Sequence, residues 1–403
     1  MATYFFCLNM LNHYLFEYSN SKDDKNTLHK YIADAIPEVT TIEGPQQIIN
    51  ILAKSQPESI FNSEQSELLC YSGQASLLKQ CIILPNNYEL FLAPWLADGL
   101  HSYSHPLVRQ DWKRWFPSAH NAVLTNGQKM SNAVPIESFD GLKFAANNQY
   151  KFVIKNHADA DNYWHWTFEW LPRLLILRSL INDDLDLKSL SFIVIGQSLT
   201  QFQEDWIELL FEREIVIEYY RSPILCNNFL SVTPPFPAHH SRSWLSRISE
   251  CILYSNNYLA LNKTIRSTNK RIYLQRGKAL NGRNIINEGD VLNQLSLYGF
   301  MPLSMDQLSI YEQAHIFSNA DIIIGPHGSA FVNMIFCKKH CQIIEFFGPG
   351  YLSGHDYSLA FMLELSWLFI EGSSKNDNPT FSSDYMIDID KLTEILNRCL
   401  ASH

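Results

Sequence analysis

The stretch whose reading decides the fold is DIIIGPHGSAFVN, Asp321 to Asn333. DIIIG reads as a buried strand, Pro-His-Gly-Ser as a tight turn, and PHGSAFVNMIF (326–336) as the opening of a helix. Such a strand–turn–helix unit sets free backbone N–H groups and the positive end of a helix dipole at the ligand edge of a sheet. Gly325 and Gly328 let the backbone approach a phosphate closely. His327 can donate a hydrogen bond to an anion, and Asn333 lies within the first two helical turns. An ordinary βα turn with a core histidine fits the same letters, and the turn alone leaves the two readings level.

The neighbourhood separates them. KRIYLQR (270–276) is a strand, and RIYLQRGKALNGRNIINE brings Arg271, Arg276, Lys278 and Arg283 to its end and the following loop. Four cations gathered in a chain of formal charge −10 suit a diphosphate. The remaining elements alternate. A helix is expected over 287–300, with Asn287 as N-cap and Gly299 as stop, then a strand at MPLSM (301–305). SIYEQAHIFSNA (309–320) is a helix opened by a Ser309–Glu312 capping box. QIIEFF (342–347) is another strand, and 384–400 a closing helix.

An earlier block repeats the alternation. YKFVI (150–154) is a strand, Asn162 to Leu180 has helical spacing, and SFIVIG (191–196) is β-rich. FQEDWIELLF (202–211) is amphipathic and EIVIEYY (214–220) a strand. VTPPFPAHHS (232–241) is the linker, because its three prolines suit neither a helix nor a central strand. One helix is expected after it, over 242–260. The α/β class follows, as two Rossmann-like domains, 1–235 and 236–403, facing a central cleft with a C-terminal helix, and ligands in such sheets sit at the carboxyl ends of the strands. Residues 1–145 show short apolar runs and no motif.

Bulk composition removes several function classes. The negative net charge argues against a general nucleic-acid binder. The 8 cysteines include no C-x-x-C pair, so Cys337 and Cys341 do not make a zinc site and the thiols read as reduced. No run is long enough to span a membrane, and the first sixteen residues lack the basic start and cleavage site of a secretory signal. A cytoplasmic location is expected.

Three separated motifs, R-x6-R-x3-NE (276–288), LSIYEQAHIFSNADIIIGPHGSAFVNMIF (308–336) and IIEFF (343–347), resemble the core of glycosyltransferase family 61. NYWHWTFEWLPRL (162–174) is similar to the family's N-terminal-domain motif, an Asn-x-x-His with an acid four residues on and Leu-Pro-Arg-Leu after it. The resemblance covers roughly 150–350. It implies a GT-B fold and inverting transfer from a nucleotide sugar, usually UDP-linked, to a glycan or lipid-linked glycan in surface or capsular polysaccharide synthesis, with no metal and no other cofactor. Arg276, Arg283, Asn287, Glu288, Glu312, Gln313, His327, Gly328, Asn333 and Glu345 fall at family positions. Arg276, Arg283, His327 and the backbone of Gly328, Ser329 and Ala330 are expected to hold the donor diphosphate. Asn287 and Asn333 are counted with them. Glu345 is expected to accept from a ribose hydroxyl, and Glu288 and Gln313 to be structural, capping or bridging between elements.

On a helix, Asn162, His165, Glu169 and Arg173 share one stripe, with Pro172 bending the helix. A polar stripe on an otherwise aromatic helix suits a face turned to a cleft. Inverting transfer needs a base for the acceptor hydroxyl, and a carboxylate among tryptophans suits that task. Glu169 is the first choice and His165 the second, or the group that orients Glu169. Asp161, Asn162, Trp166 and Arg173 are the acceptor-side candidates. Asp159-Ala160-Asp161 invites a metal, but the phosphate elements lie far along the chain, so Asp159 or Asp161 is expected as helix N-cap. A surface His–Glu pair, a nucleotide-sugar epimerase and a non-catalytic glycan-binding module are the competing readings.

Overall fold

A computed structural model of the chain describes residues 38–43, 65–70, 74–83, 90–92, 143–145 and 150–155, and from 158 to 401 all but 184–189, 213–214, 223, 234–237, 265–268, 278–281, 375 and 377. The first sixteen residues, the prolines of the expected linker and Lys278 lie outside these. The described residues form two compact units that divide between Ala238 and His239; most of an isolated pair of strands, β1 (Glu38–Glu43) and β2 (Gln65–Cys70), groups with the second. Each unit is α/β.

The second unit is built on β10 (Arg271–Leu274), β11 (Met301–Leu303), β12 (Ile322–Pro326), β13 (Gln342–Phe347) and β14 (Ser366–Glu371). Their spatial order is β11-β10-β12-β13-β14, and every pairing is parallel. Parallel sheets carry their connections on both faces, so the strands are buried runs rather than alternating ones; β12 is buried from end to end. The order is that of a doubly wound sheet whose winding reverses between its first and third strands, here β10 and β12. Helices α5 (Glu288–Leu297) and α6 (Ile310–Asn319) connect β10 to β11 and β11 to β12, while α7 (His355–Met362) precedes β14 and α8 (Ile389–Ala401) closes the chain. Both halves of the Ser309–Glu312 capping box form, and Gly299, at φ +73°, ends α5. Leu392, Ile395 and Leu396 of α8 join Tyr273, Val291, Ile324 and Ile344 in one core.

Gly325 is required by the sheet itself. A Cβ there would stand 2.8 Å from Leu274 Cβ and 2.9 Å from its carbonyl oxygen. Gly325→Ala is therefore expected to push β10 and β12 apart and cost about 1–3 kcal/mol, read as a lowered denaturation midpoint with an unchanged m-value.

In the first unit the order is β4-β3-β9-β6-β7-β8, from β3 (Gln74–Ile83), β4 (Leu90–Leu92), β6 (Tyr150–Lys155), β7 (Leu190–Ile195), β8 (Val216–Tyr220) and β9 (Ile224–Thr233); β5 (Lys143–Ala145) also pairs with β9. The expected βαβ alternation holds for β6, β7 and β8, which are parallel. The motif-free region adds an antiparallel part, β4 on β3 and β3 on β9, so this sheet is mixed. Between β6 and β7 runs one continuous helix over 163–183 (α1), and between β7 and β8 runs α2 (Gln201–Phe211). Trp166, Phe168, Phe192, Trp206 and Phe211 fill this core.

Three helices differ from expectation. Within α1, Trp166–Trp170 is a π-helix, immediately before Leu171-Pro172. Pro172 has no N–H to give and its ring crowds the carbonyl one turn back, so the wider turn relieves both. The expected 242–260 helix is two, α3 (Arg242–Leu253) and α4 (Asn256–Thr264). Ser255 breaks it: its Oγ accepts from Tyr258 N–H at 3.2 Å and starts the second helix. The helix after the Pro-His-Gly-Ser turn is a 3₁₀-helix, Ser329–Phe336, whose last six residues are all buried.

Candidate active site

In the second unit Arg276 follows β10 and His327 follows β12, so the two straddle the point where the winding reverses. Arg276 Nη1 donates to the His327 carbonyl at 3.4 Å. Arg283 holds a left-handed backbone, φ +64°, and lays its guanidinium over the Tyr351 ring, 5.3 Å from the centroid. Tyr351 in turn lies 5.2 Å from the His327 ring. Burial and the neighbouring Arg283 charge both push the Arg276 pKa down, yet a guanidinium stays protonated in proteins. Two like charges are therefore held together against their repulsion, with Arg283 Nε buried and without an acceptor among the described residues. A bound anion would satisfy the orphaned Arg283 Nε.

The His327 ring is fixed from three sides. It stacks on Phe347 at 5.0 Å with 23° between planes. Its Nδ1 meets the Glu345 carboxylate and, at 3.0 Å, Asp356 Oδ2. Burial of the ring works against its charged form, but the Glu345 charge and the hydrogen bonds to Asp356 and Glu345 outweigh it and hold the pKa up at about 10. Glu345 is fully buried; burial and then the Asp356 charge raise its pKa well above the carboxylate range, with His327 opposing. The trio is one coupled system, two carboxyl groups against one imidazole nitrogen.

Other expected donor residues are placed elsewhere. Glu345 spends one oxygen on His327 and the other on Trp367 Nε1, 3.0 Å away, so both oxygens already have protein partners. Asn333 is fully buried and donates to Gln313 Oε1 at 2.7 Å, while Gln313 Nε2 reaches the Met305 and Leu308 carbonyls. That makes both a polar stitch between the 3₁₀-helix and α6. Asn287 clamps Ile387 through both its carbonyl and its N–H, at 2.8 and 2.9 Å. Glu288 accepts from Tyr273 Oη at 2.9 Å, which is the bridging role expected of it. Arg271 sits at the opposite, amino end of β10 and donates to the Tyr298 carbonyl at the end of α5. Gly328 is extended, and Ser329 and Ala330 open the 3₁₀-helix beside His327.

In the first unit the expected stripe runs from the residue before α1 along the helix, and it is unevenly exposed. Asn162 is exposed, His165 and Arg173 are half-buried, and Glu169 is 6% exposed. His165 Nδ1 and Glu169 Oε1 are 2.6 Å apart. The other Glu169 oxygen, Oε2, is buried with no partner among the described residues. Arg173 stacks on Trp170, 4.6 Å from the ring centroid, and Trp166 is wholly buried. Trp164, off the stripe, is half-buried and packs edge-on against Phe168.

The Asp-x-Asp pair is resolved by its neighbours. The helix N-cap is Asn162, whose side chain accepts from Trp164 N–H at 2.9 Å. Asp161 is instead the counterion of Lys155, a lysine only 2% exposed at the end of β6. A buried ammonium requires such a partner, and this demand outranks capping.

Against known proteins, residues 163–344 match the family model described as Glycosyltransferase 61. The matched segment is similar to glycosyltransferase 61 domains. It opens on the first residue of α1 and ends inside β13, so both the His165–Glu169 pair and the Arg276–His327 group lie within it. The match supports a glycosyltransferase activity, and the activity of that family implies a nucleotide-sugar donor and a glycan acceptor. No curated protein matches the sequence. Among the described residues no helix is long and apolar enough to cross a membrane. Asp356, Trp367 and Tyr351 lie beyond the matched segment and in no motif; the apolar strand SWLFIE (366–371) was the one signal that the region continues the sheet.

Proposed function

We propose that the chain is an inverting GT-B glycosyltransferase whose second domain (236–403) binds a nucleotide sugar, most simply UDP-linked, and whose first (1–235) binds the acceptor. The observation that carries this reading is the cation group of Arg276, Arg283 and His327 at the carboxyl ends of β10 and β12, where doubly wound sheets take nucleotides.

In the proposed reaction Glu169, or His165 in its place, removes the proton of an acceptor hydroxyl as that oxygen attacks the anomeric carbon. The new C–O bond forms while the anomeric carbon–phosphate oxygen bond breaks, and the two electrons leave with the diphosphate. Arg276, Arg283 and His327 stabilise the charge that develops there. All the charge compensation comes from side chains, so no metal is assigned. The acceptor is a growing surface or capsular polysaccharide, free or lipid-linked, made on the cytoplasmic side of the membrane.

The test is a panel of UDP-sugars with glycan acceptors, followed by NMR of the product anomer. Transfer with inversion in the presence of EDTA is expected. Interconversion of UDP-sugars without transfer would make the protein an epimerase, and tight binding without turnover a glycan-binding module.

A further inference from the structure

Asp356 is 1% exposed and lies in the first turn of α7, where the helix dipole favours a carboxylate. Nothing in the family pattern points to it, and it falls twelve residues past the matched segment, which ends at Ile344. Yet it shares His327 Nδ1 with Glu345, and its other oxygen has no partner among the described residues.

We propose that Asp356 is a positioning residue for glycosyl transfer: with Glu345 it commits His327 Nδ1 as a hydrogen-bond donor and keeps the ring an imidazolium, so that Nε2–H is available to the donor diphosphate. The proposal rests on the donor site described above. A neutral imidazole has one N–H and one acceptor nitrogen. Were the ring neutral with its proton on Nδ1, Nε2 would turn a lone pair toward a phosphate oxygen, and the contact would repel. Two acids against one nitrogen prevent that. Trp367 Nε1–H fixes the second Glu345 oxygen, so Glu345 cannot swing away, and Phe347 and Tyr351 hold the ring plane.

His327, Glu345 and Asp356 also form the one group among the described residues with a composition that could hold a metal. In the proposed role they are instead a group that shares protons, with Nδ1 meeting both acids.

The other charged groups facing His327 are Arg276 at its carbonyl and, past the Tyr351 ring, Arg283, with Tyr385 beside both arginines. The arginines oppose the imidazolium, so removing Asp356 should free the ring to lose its proton at lower pH.

The test has two arms. In the native enzyme labelled with ¹⁵N-histidine, the His327 ring should remain an imidazolium through pH 8; titration near the ordinary histidine value would overturn the proposal, and this arm needs no variant to fold. In Asp356→Asn, kcat is expected to fall roughly 10- to 100-fold, the cost typical of removing a carboxylate that orients a working histidine. The alkaline limb of kcat/KM should move toward neutral pH, and Asp356→Glu should recover part of both. A folded Asp356→Asn enzyme with an unmoved limb refutes the inference, as does EDTA-sensitive activity restored by Mn²⁺. Should His327→Ala leave donor binding and turnover intact, the donor-site reading itself would fail, separately from the role of Asp356.

Discussion

Arg283→Ala is expected to cut transfer by about 10²–10³-fold, as removal of one charge-stabilising donor does in other active sites, without lowering thermal stability. The two halves of that result come from one arrangement. Arg283 and Arg276 are close enough for each to disfavour the other's charge, and Arg283 adopts a backbone conformation, φ +64°, that side chains avoid. A residue held at such a cost is not there for the fold. Removing its guanidinium relieves the repulsion on Arg276, so the melting temperature should stay level or rise while activity collapses, the pattern of a strained functional site. Arg283→Lys separates charge from geometry. It keeps the positive charge but not the planar fork that grips a diphosphate through two oxygens, and should recover only a part of the loss. If Arg283→Ala instead unfolds the protein in step with its activity, the arginine is structural and the donor site lies elsewhere.

How far the sequence could be read depended on what kind of contact each residue makes. Strands β10, β12 and β13 and helices α5 and α6 were legible because apolar runs, a capping box and a stop glycine are local signals. Their order in space follows from the handedness of parallel crossovers, so the placement of His327 and Arg276 at one edge was within reach. Partnership was not. Counting cations between Arg271 and Arg283 ignored strand direction, and Arg271 lies at the wrong end of β10. Asn287 and Asn333 sit at family positions for the same reason a ligand contact would, but their amides serve Ile387 and Gln313. Asp161 looked like a cap because the reading stopped at its own helix, while its partner, Lys155, ends the preceding strand. The π-helix was invisible to a 3.6-residue period, although Pro172 marked the place. Asp356 was missed because no spacing rule connects a strand-end histidine to an acid that approaches from a separate helix.

Glu169→Gln should abolish transfer, by about 10²–10⁴-fold, while leaving donor binding unchanged. Glu169 is the stronger candidate of the pair because its two oxygens are in different situations. Oε1 is taken by His165 Nδ1 at 2.6 Å, and Oε2 is buried with no partner among the described residues. An orphaned carboxylate oxygen costs stability unless something donates there, and an acceptor hydroxyl is a group that would donate its proton to it. The π-turn supports this assignment. It keeps His165 and Glu169 within hydrogen-bond reach while Trp166, Phe168 and Trp170 remain buried, so the carboxylate is held by packing rather than by solvent. His165→Ala should then be the milder change, roughly tenfold or somewhat more, because it removes an orienting partner and leaves the base. Isothermal titration with UDP should give matching affinities for wild type and both variants, since the donor group belongs to the second unit. The opposite ranking, with His165→Ala inactive and Glu169→Gln near wild type, would pass the proton to the histidine and make Glu169 the group that orients it.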